Sequence, residues 1–308
     1  MGCLEGNVTQ RRQRVTTYGS RRTFSTHFII RKSFYVARAW RRRDLVALNA
    51  DVYRCFGSVP HWAFADALAR SEMPSLPQLA LVREYGGLIG QARLRDAGVG
   101  APLPFHKGGR TVAVETPALL NLFRDVNLER VVAAWERDGV GFQLETHVDE
   151  ATGELFHHPI WADNFFMLAT SLAALERMLG DLARVLGHLE LCWKPGSLEV
   201  MWSRLYGGED RGPVWVPQPD RTKVRAKEVQ ALRVLGDMVS DDGGSLGALD
   251  VREVAANRAF YLHVRQLQDC RVALAHRLRA WTRASRPAFV YGNETWHWTL
   301  SMLRHVNR

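Results

Sequence analysis

The sequence predicts an α+β fold, with strands and a hairpin in its first half and amphipathic helices after them. Three observations lead there. Leu45 to Ala50 is mostly apolar, reads as a buried strand and ends at Asp51. The stretch "HPIWADNFFMLATS", residues 158–171, places apolar runs on both sides of Asp163 and Asn164, the pattern of a tight hairpin whose turn residues tolerate unusual backbone angles. Finally, Leu172, Leu175, Leu179, Leu182, Leu186 and Leu189 advance by steps of three and four, which puts all six on one stripe of a helix.

The chain has 308 residues, 46% of them hydrophobic, enough to bury a core in two subdomains. No apolar run approaches the roughly 18 residues of a membrane span, so the chain reads as soluble, with no membrane partner. Cys3, Cys55, Cys192 and Cys270 show no CxxC spacing, so neither a disulfide framework nor a zinc site is indicated, and they read as reduced thiols of an intracellular protein. Charge is unevenly placed. Residues 1–43 hold eleven Lys or Arg against one acid, Glu5, a net of +10, while the whole chain is +9. The basicity is therefore an arm, in which Arg alternates with Phe, Tyr and Trp as in surfaces that bind phosphates and stack bases. An Arg-rich, acid-poor transit peptide has the same composition.

After Asp51, Ser58 is placed to cap a helix beginning near Pro60, because proline suits a first helical position, and Trp62, Ala65 and Leu68 follow at helical spacing. Ser171 is expected to cap the leucine-striped helix. Under three heptads of stripe favour packing beneath a sheet over a coiled-coil dimer. Residues 207–226 are rich in Gly, Pro and charge and read as a link. Beyond it, Val251, Ala255, Ala259 and Leu262, then Leu274, Leu278 and Trp281, repeat the helical pattern, with Arg252, Arg258, Arg265, Arg271, Arg277, Arg279 and Arg283 among them. The arginines suit a nucleic-acid backbone or a plain solvated face. The domain reading is thus 1–43 arm, 44–206 mixed domain, 207–226 link and 227–308 helical lobe.

Taken singly, Asp51 and Asp163 are ordinary turn or cap residues. Brought side by side on neighbouring strands, two carboxylates can hold two divalent cations roughly 3.5–4 Å apart, the arrangement that clamps attacking and leaving oxygens in phosphoryl transfer. Magnesium suits such a site because it takes hard oxygen ligands and leaves positions open for phosphates. His157 and His158, adjacent on an expected strand, would point to opposite faces and could not chelate one metal. "GGLIGQARLRDAGVG" has neither dinucleotide nor P-loop spacing.

The ordered set of motifs resembles the reverse transcriptase of non-LTR retrotransposons. "DVYRCFGSVPHWAFADAL" looks like that family's motif A, "GGRTVAVETPALLNLF" (108–123) like motif B, and "WADN" like the Tyr-Ala-Asp-Asp box of motif C. "LERMLGDLARVLGHLELCWKPGSLEVMW" occupies the place of motif D, and "LRVLGDMVSDDGGS" followed by "RPAFVYGNETWHWT" is similar to the family's closing segment. The resemblance runs from about residue 44 to 300. It implies a polymerase palm, an antiparallel sheet backed by helices, with a helical thumb-like lobe, in a nuclear RNA-directed DNA polymerase that takes an RNA template, a DNA primer and deoxynucleoside triphosphates with Mg2+ or Mn2+.

By the same resemblance Asp51, Asp163 and the carbonyl of Val52 are metal ligands, Asn164 completes the catalytic box, and Phe56 is the aromatic gate against a ribose 2′-hydroxyl. Arg110 and Thr111 of motif B would face template or triphosphate, and Lys194 would reach phosphates. The sequence also departs from the pattern. Asn164 stands where a second aspartate is usual, Thr111 and Val112 where Gln-Gly is, Gly57 where an acid is, and Ser197 where a motif D lysine is; the first half of the fingers is not recognisable. An inactive relic that keeps only nucleic-acid binding therefore remains the alternative expectation.

Overall fold

The computed structural model describes residues 26–39, 44–91, 93–94, 98–109, 115–143 and 155–307. The chain forms two compact units. One is built from Val46–Val200 and Gly208–Glu228, the other from Phe24–Leu45, Met201–Gly207 and Val229–Arg308.

The first unit is organised on a five-stranded sheet. Its strands are β1 (Val46–Asp51), β2 (Ile160–Trp161), β3 (Asn164–Ala169), β4 (Glu199–Trp202) and β5 (Lys227–Glu228), arranged β5-β4-β1-β3-β2. β1 lies at the centre and is buried along its length up to Asp51, which explains its unbroken apolar sequence: a strand covered on both faces gains nothing from alternation. β1 and β3 pair antiparallel from Val46↔Ala169 to Asp51↔Asn164. The sheet is mixed, since β4 and β5 run parallel, where an antiparallel sheet was expected throughout.

Helices back this sheet. α1 (His61–Ala69) packs on the long α2 (Thr116–Arg137), and α3 (Leu172–His188) lies against β3 and α2. In α3 the leucine stripe faces inward: Leu175, Leu179, Leu182 and Leu186 are buried, as is Leu189 just past the end. Ser171 caps it as expected, accepting a hydrogen bond from the Ala174 amide at 3.2 Å. Ser58 does not cap α1. It closes a four-residue helix, Cys55–Ser58, and Pro60 takes the cap position without a side-chain bond. Arg54, left-handed at φ 45°, starts the short helix, and the extended Val59 separates it from α1.

The stretch 207–226 is not a bare link. Trp215–Pro217 and Lys223–Arg225 form an antiparallel hairpin packed on α3, with Val214 and Val216 fully buried. His157 and His158 are also placed differently from expectation. They lie outside the strands, both buried, with rings stacked at 4.5 Å and their Nδ1 atoms facing each other beside Trp135. Without strand geometry, neighbouring side chains are free to share one side.

In the second unit, helix Thr26–Ala39 falls where the basic arm was expected, yet Ile29, Ile30, Phe34 and Ala37 are core residues. Its Arg31 is buried and donates to Asp237 Oδ2 at 2.8 Å and to the Met238 carbonyl at 2.7 Å. It is therefore a structural ion pair, not a phosphate contact. Residues 1–25 and 40–43 lie outside the described residues. The helical lobe comprises α4 (Leu246–Leu262), α5 (Leu274–Val290) and α6 (Leu300–Val306) beside the hairpin Ala231–Val234/Asp237–Ser240. Ala248, Leu249, Trp296 and Met302 form a core cluster there. The apolar stripe of α5 faces solvent: Leu274, Leu278 and Trp281 are exposed, while Ser285 is buried and Phe289 packs against the core cluster. Among the described residues no helix is long and apolar enough to cross a membrane.

Asp237 is fully buried, and it accepts from Arg31, from the Met238 amide and from Trp296 Nε1. Asp237→Ala leaves the Arg31 guanidinium buried without its carboxylate, so it is expected to destabilise this unit by about 3–5 kcal/mol, measured by urea unfolding followed at the tryptophans.

Candidate functional site

The β1–β3 register decides where the acidic residues meet. Asp51 pairs with Asn164, and the Val52 amide donates to the Asp163 carbonyl at 3.0 Å. Two residues 112 positions apart thereby come to the same end of the sheet. β2 and β3 are joined by a two-residue turn, Ala162–Asp163, since Trp161 pairs with Asn164. The turn is thus one residue earlier than the Asp163–Asn164 pair that the sequence suggested, and it rests on Ala162 at φ 51°. A non-glycine residue there costs roughly 1–2 kcal/mol.

The Asp51 and Asp163 carboxylates sense one another. Burial first, and then the charge of Asp163, push the Asp51 carboxyl above its ordinary value, while the charge and hydrogen bond of Lys194 oppose the rise. Lys194 Nζ stands 3.4 Å from Asp51 Oδ2, and the Lys194 amide donates to the Asp51 carbonyl at 2.8 Å. Ser197 accepts the Asp51 amide proton at 2.9 Å and donates to the Lys194 carbonyl at 2.8 Å. Lys194 therefore supplies charge beside Asp51, and Ser197 fixes the strand end. Asp51 Oδ1 is buried and accepts no hydrogen bond among the described residues. A buried, unpartnered carboxylate oxygen beside a second carboxylate is the donor set that a hard cation satisfies.

Phe56 is half-buried in the short helix Cys55–Ser58 that follows Asp51. The loop at Gly108–Gly109 docks on that turn. Gly109 donates to the Phe56 carbonyl at 2.7 Å, Gly108 donates to the Val59 carbonyl at 2.8 Å, and His61 Nε2 contacts the Gly108 carbonyl at 2.9 Å. Gly108 has φ +88°, and a Cβ on it would fall 2.9 Å from the Gly57 carbonyl oxygen. Arg110, Thr111 and Val112 lie outside the described residues. A Cβ at Gly57 itself would meet nothing within 4 Å, so the missing acid there is not a matter of space.

One residue at this site was missed by the sequence reading. Arg124 of α2 is buried, and it donates to the Ala162 carbonyl, to Asn121 Oδ1 and, at 3.2 Å, to the Leu120 carbonyl. Its signal was present: Leu120, Arg124 and Leu128 advance by fours, placing Arg124 on an apolar stripe. Burial lowers its guanidinium from the ordinary value, against the raising charges of Cys55, Asp125 and Asp163. Burial also pushes the Cys55 thiol up to about 11, so it stays a neutral packing group.

No protein-family model and no curated protein matches the sequence. Solved structures do. Over 94% of this chain and 50% of the other, the fold is similar to the structure of apo telomerase from Candida tropicalis, with a TM-score of 0.53 and 8% identity. The fold is α+β and resembles that telomerase structure in its architecture. Two further matches are the apo telomerase of that organism truncated from its C-terminal domain (TM-score 0.49, 7% identity, 74% and 40% of the chains) and its telomerase in complex with a TWJ fragment of telomeric RNA (0.48, 8%, 99% and 48%). The chain spans about half the length, or less, of these matches.

Two outcomes are expected. Because the folded state raises the Asp51 pKa, the stability linked to its neutral form is fully present below the ordinary carboxylate value and is lost as pH rises through the raised one. Asp51→Asn should then melt a few degrees higher than the unaltered chain at pH 7, and the gap should close on acidification in a thermal melt series. Gly108→Ala should lower stability by about 1–3 kcal/mol through its positive φ and the clash with Gly57, read in the same assay.

Proposed function

We propose that the chain carries an RNA-directed DNA polymerase domain of non-LTR retrotransposon descent, copying an RNA template from a DNA primer with deoxynucleoside triphosphates. The observation that carries this reading is the meeting of Asp51 and Asp163 at one end of adjacent antiparallel strands. The ordered motifs and the reverse-transcriptase-like fold support it. Two Mg2+ or Mn2+ ions, when bound, supply activation of the primer 3′-hydroxyl and neutralise charge on the leaving oxygens.

The protein's own residues supply the rest. Asp51, Asp163 and the Val52 carbonyl offer hard oxygen ligands, in keeping with the unpartnered Asp51 Oδ1. Asn164 keeps the size of an aspartate without its charge. Phe56, at the mouth of the turn after Asp51, blocks a 2′-hydroxyl. Lys194, more than half exposed, can leave Asp51 for a triphosphate. Arg110 and Thr111 keep the template or nucleotide contact that the motif resemblance implies for them.

A second reading has its own observation. Lys194 already pairs with Asp51, and Asn164 withholds a negative charge, so the acidic pair attracts cations weakly. On that reading the chain binds nucleic acid and catalyses nothing.

Primer extension on an RNA template with Mg2+ or Mn2+ decides between them. Asp51→Ala and Asp163→Ala should each cut extension at least about a thousandfold, roughly 4 kcal/mol of barrier, while filter binding of the primer–template persists. Asn164→Asp should lower the Mn2+ concentration giving half-maximal rate. Binding without extension by the unaltered chain establishes the second reading.

A further inference from the structure

Arg124 is an expensive residue to keep where it stands. It is 4% exposed, and among the described residues no carboxylate lies within ion-pair distance; its partners are two carbonyls and an amide oxygen, all neutral. Burial of a charge against neutral acceptors costs several kcal/mol. Packing therefore does not account for it.

Its contacts do. One guanidinium nitrogen donates to the Ala162 carbonyl, the oxygen of the peptide whose nitrogen belongs to Asp163. On the far side, the Asp163 carbonyl is held by the Val52 amide, next to Asp51. Asp163 is thus clamped at the peptide before it and at the peptide after it, while Ala162 sits in the left-handed region that its side chain disfavours. The other guanidinium donors are spent on Asn121 and Leu120 of α2 itself, so the fork is anchored to the helix and cannot follow the turn if the turn moves.

We propose that Arg124 is a positioning residue for the acidic pair, pinning the Ala162–Asp163 peptide to α2 so that Asp163 stays in register with Asp51. The proposal rests on reading that pair as the reaction centre. Its chemistry is that of a fixed donor beneath a strained turn, and it touches no substrate.

The test reads the turn directly. Amide hydrogen exchange of Val52, whose N–H is bonded to the Asp163 carbonyl, is followed by NMR on the full chain, with Leu168, bonded to the His157 carbonyl at 2.8 Å, as the internal reference. Arg124→Met takes the donor from the Ala162 carbonyl, so Val52 exchange should accelerate about tenfold or more, the loss of one charge-assisted hydrogen bond, while Leu168 does not change. Arg124→Lys keeps the charge without the fork and should accelerate Val52 less. Unchanged Val52 exchange in whichever variants fold overturns the proposal, as does acceleration spread equally over Val52 and Leu168. Mn2+ titration of the unaltered chain against Asp51→Asn by electron spin resonance reports on the reaction centre separately, so a chain without metal affinity sinks that reading and leaves the exchange data to judge Arg124.

Discussion

The antiparallel register between β1 and β3 is the constraint on which the site depends. Side chains alternate faces along a strand, so a slip of one residue would send Asp51 to the opposite face and break its alignment with Asn164. What holds the register is apolar burial, not the acids. β3 from Phe165 to Ala169 is buried, as is β1 from Val46 to Ala50, and either slip would carry that whole set out of its packing. Asp51 sits in the last pair of a ladder that five buried pairs have already aligned, opposite Asn164, and Asp163 follows in the adjoining turn.

This explains why the centre of the site was legible in the sequence. A run such as Leu45–Ala50 can only be a buried strand, and an acid at its end has to emerge where the sheet ends. The hairpin was legible too, although its turn falls on Ala162–Asp163 because Arg124 and the Val52 amide reward that choice. Periodicity was a poorer guide in α5. It identifies a stripe but not which side is covered, and there Ser285 and Phe289 face inward and Leu274, Leu278 and Trp281 stay outside. Composition misled at 207–226, where Gly and Pro mark the bends of a hairpin whose Val214 and Val216 are core. Arg124 escaped because an arginine is read as solvated unless its neighbours at four-residue steps are counted.

A common device recurs in both units. Turns in the left-handed region are held by donors from a helix or the segment after it. Arg124 serves Ala162, Arg252 of α4 serves the Gly236 carbonyl, and Tyr291 Oη donates to the Leu235 carbonyl at 2.7 Å, Leu235 having φ 50°. Arg252 also lies 4.5 Å from the Tyr291 ring. In each case a hairpin whose own residues do not favour the turn is kept by a bond from outside it, and the cost of the turn is thereby shifted onto packing that the core provides.

The charges near the acidic pair differ in how much water weakens them. Lys194 is 55% exposed, and an exposed pair of this kind contributes about 0–1 kcal/mol, so it releases easily. Arg124 is out of solvent, where a charge acts through a lower effective dielectric and is screened little by salt. The surface cation can therefore exchange with an incoming one, whereas the interior cation cannot. The pair thus sits between a releasable positive group outside and a permanent one within. The permanent charge lowers the attraction of the acidic pair for any cation, while the same guanidinium holds the peptide that precedes Asp163. Geometry and charge thus pull against each other at Arg124, and the turn at Ala162 is where the balance is struck.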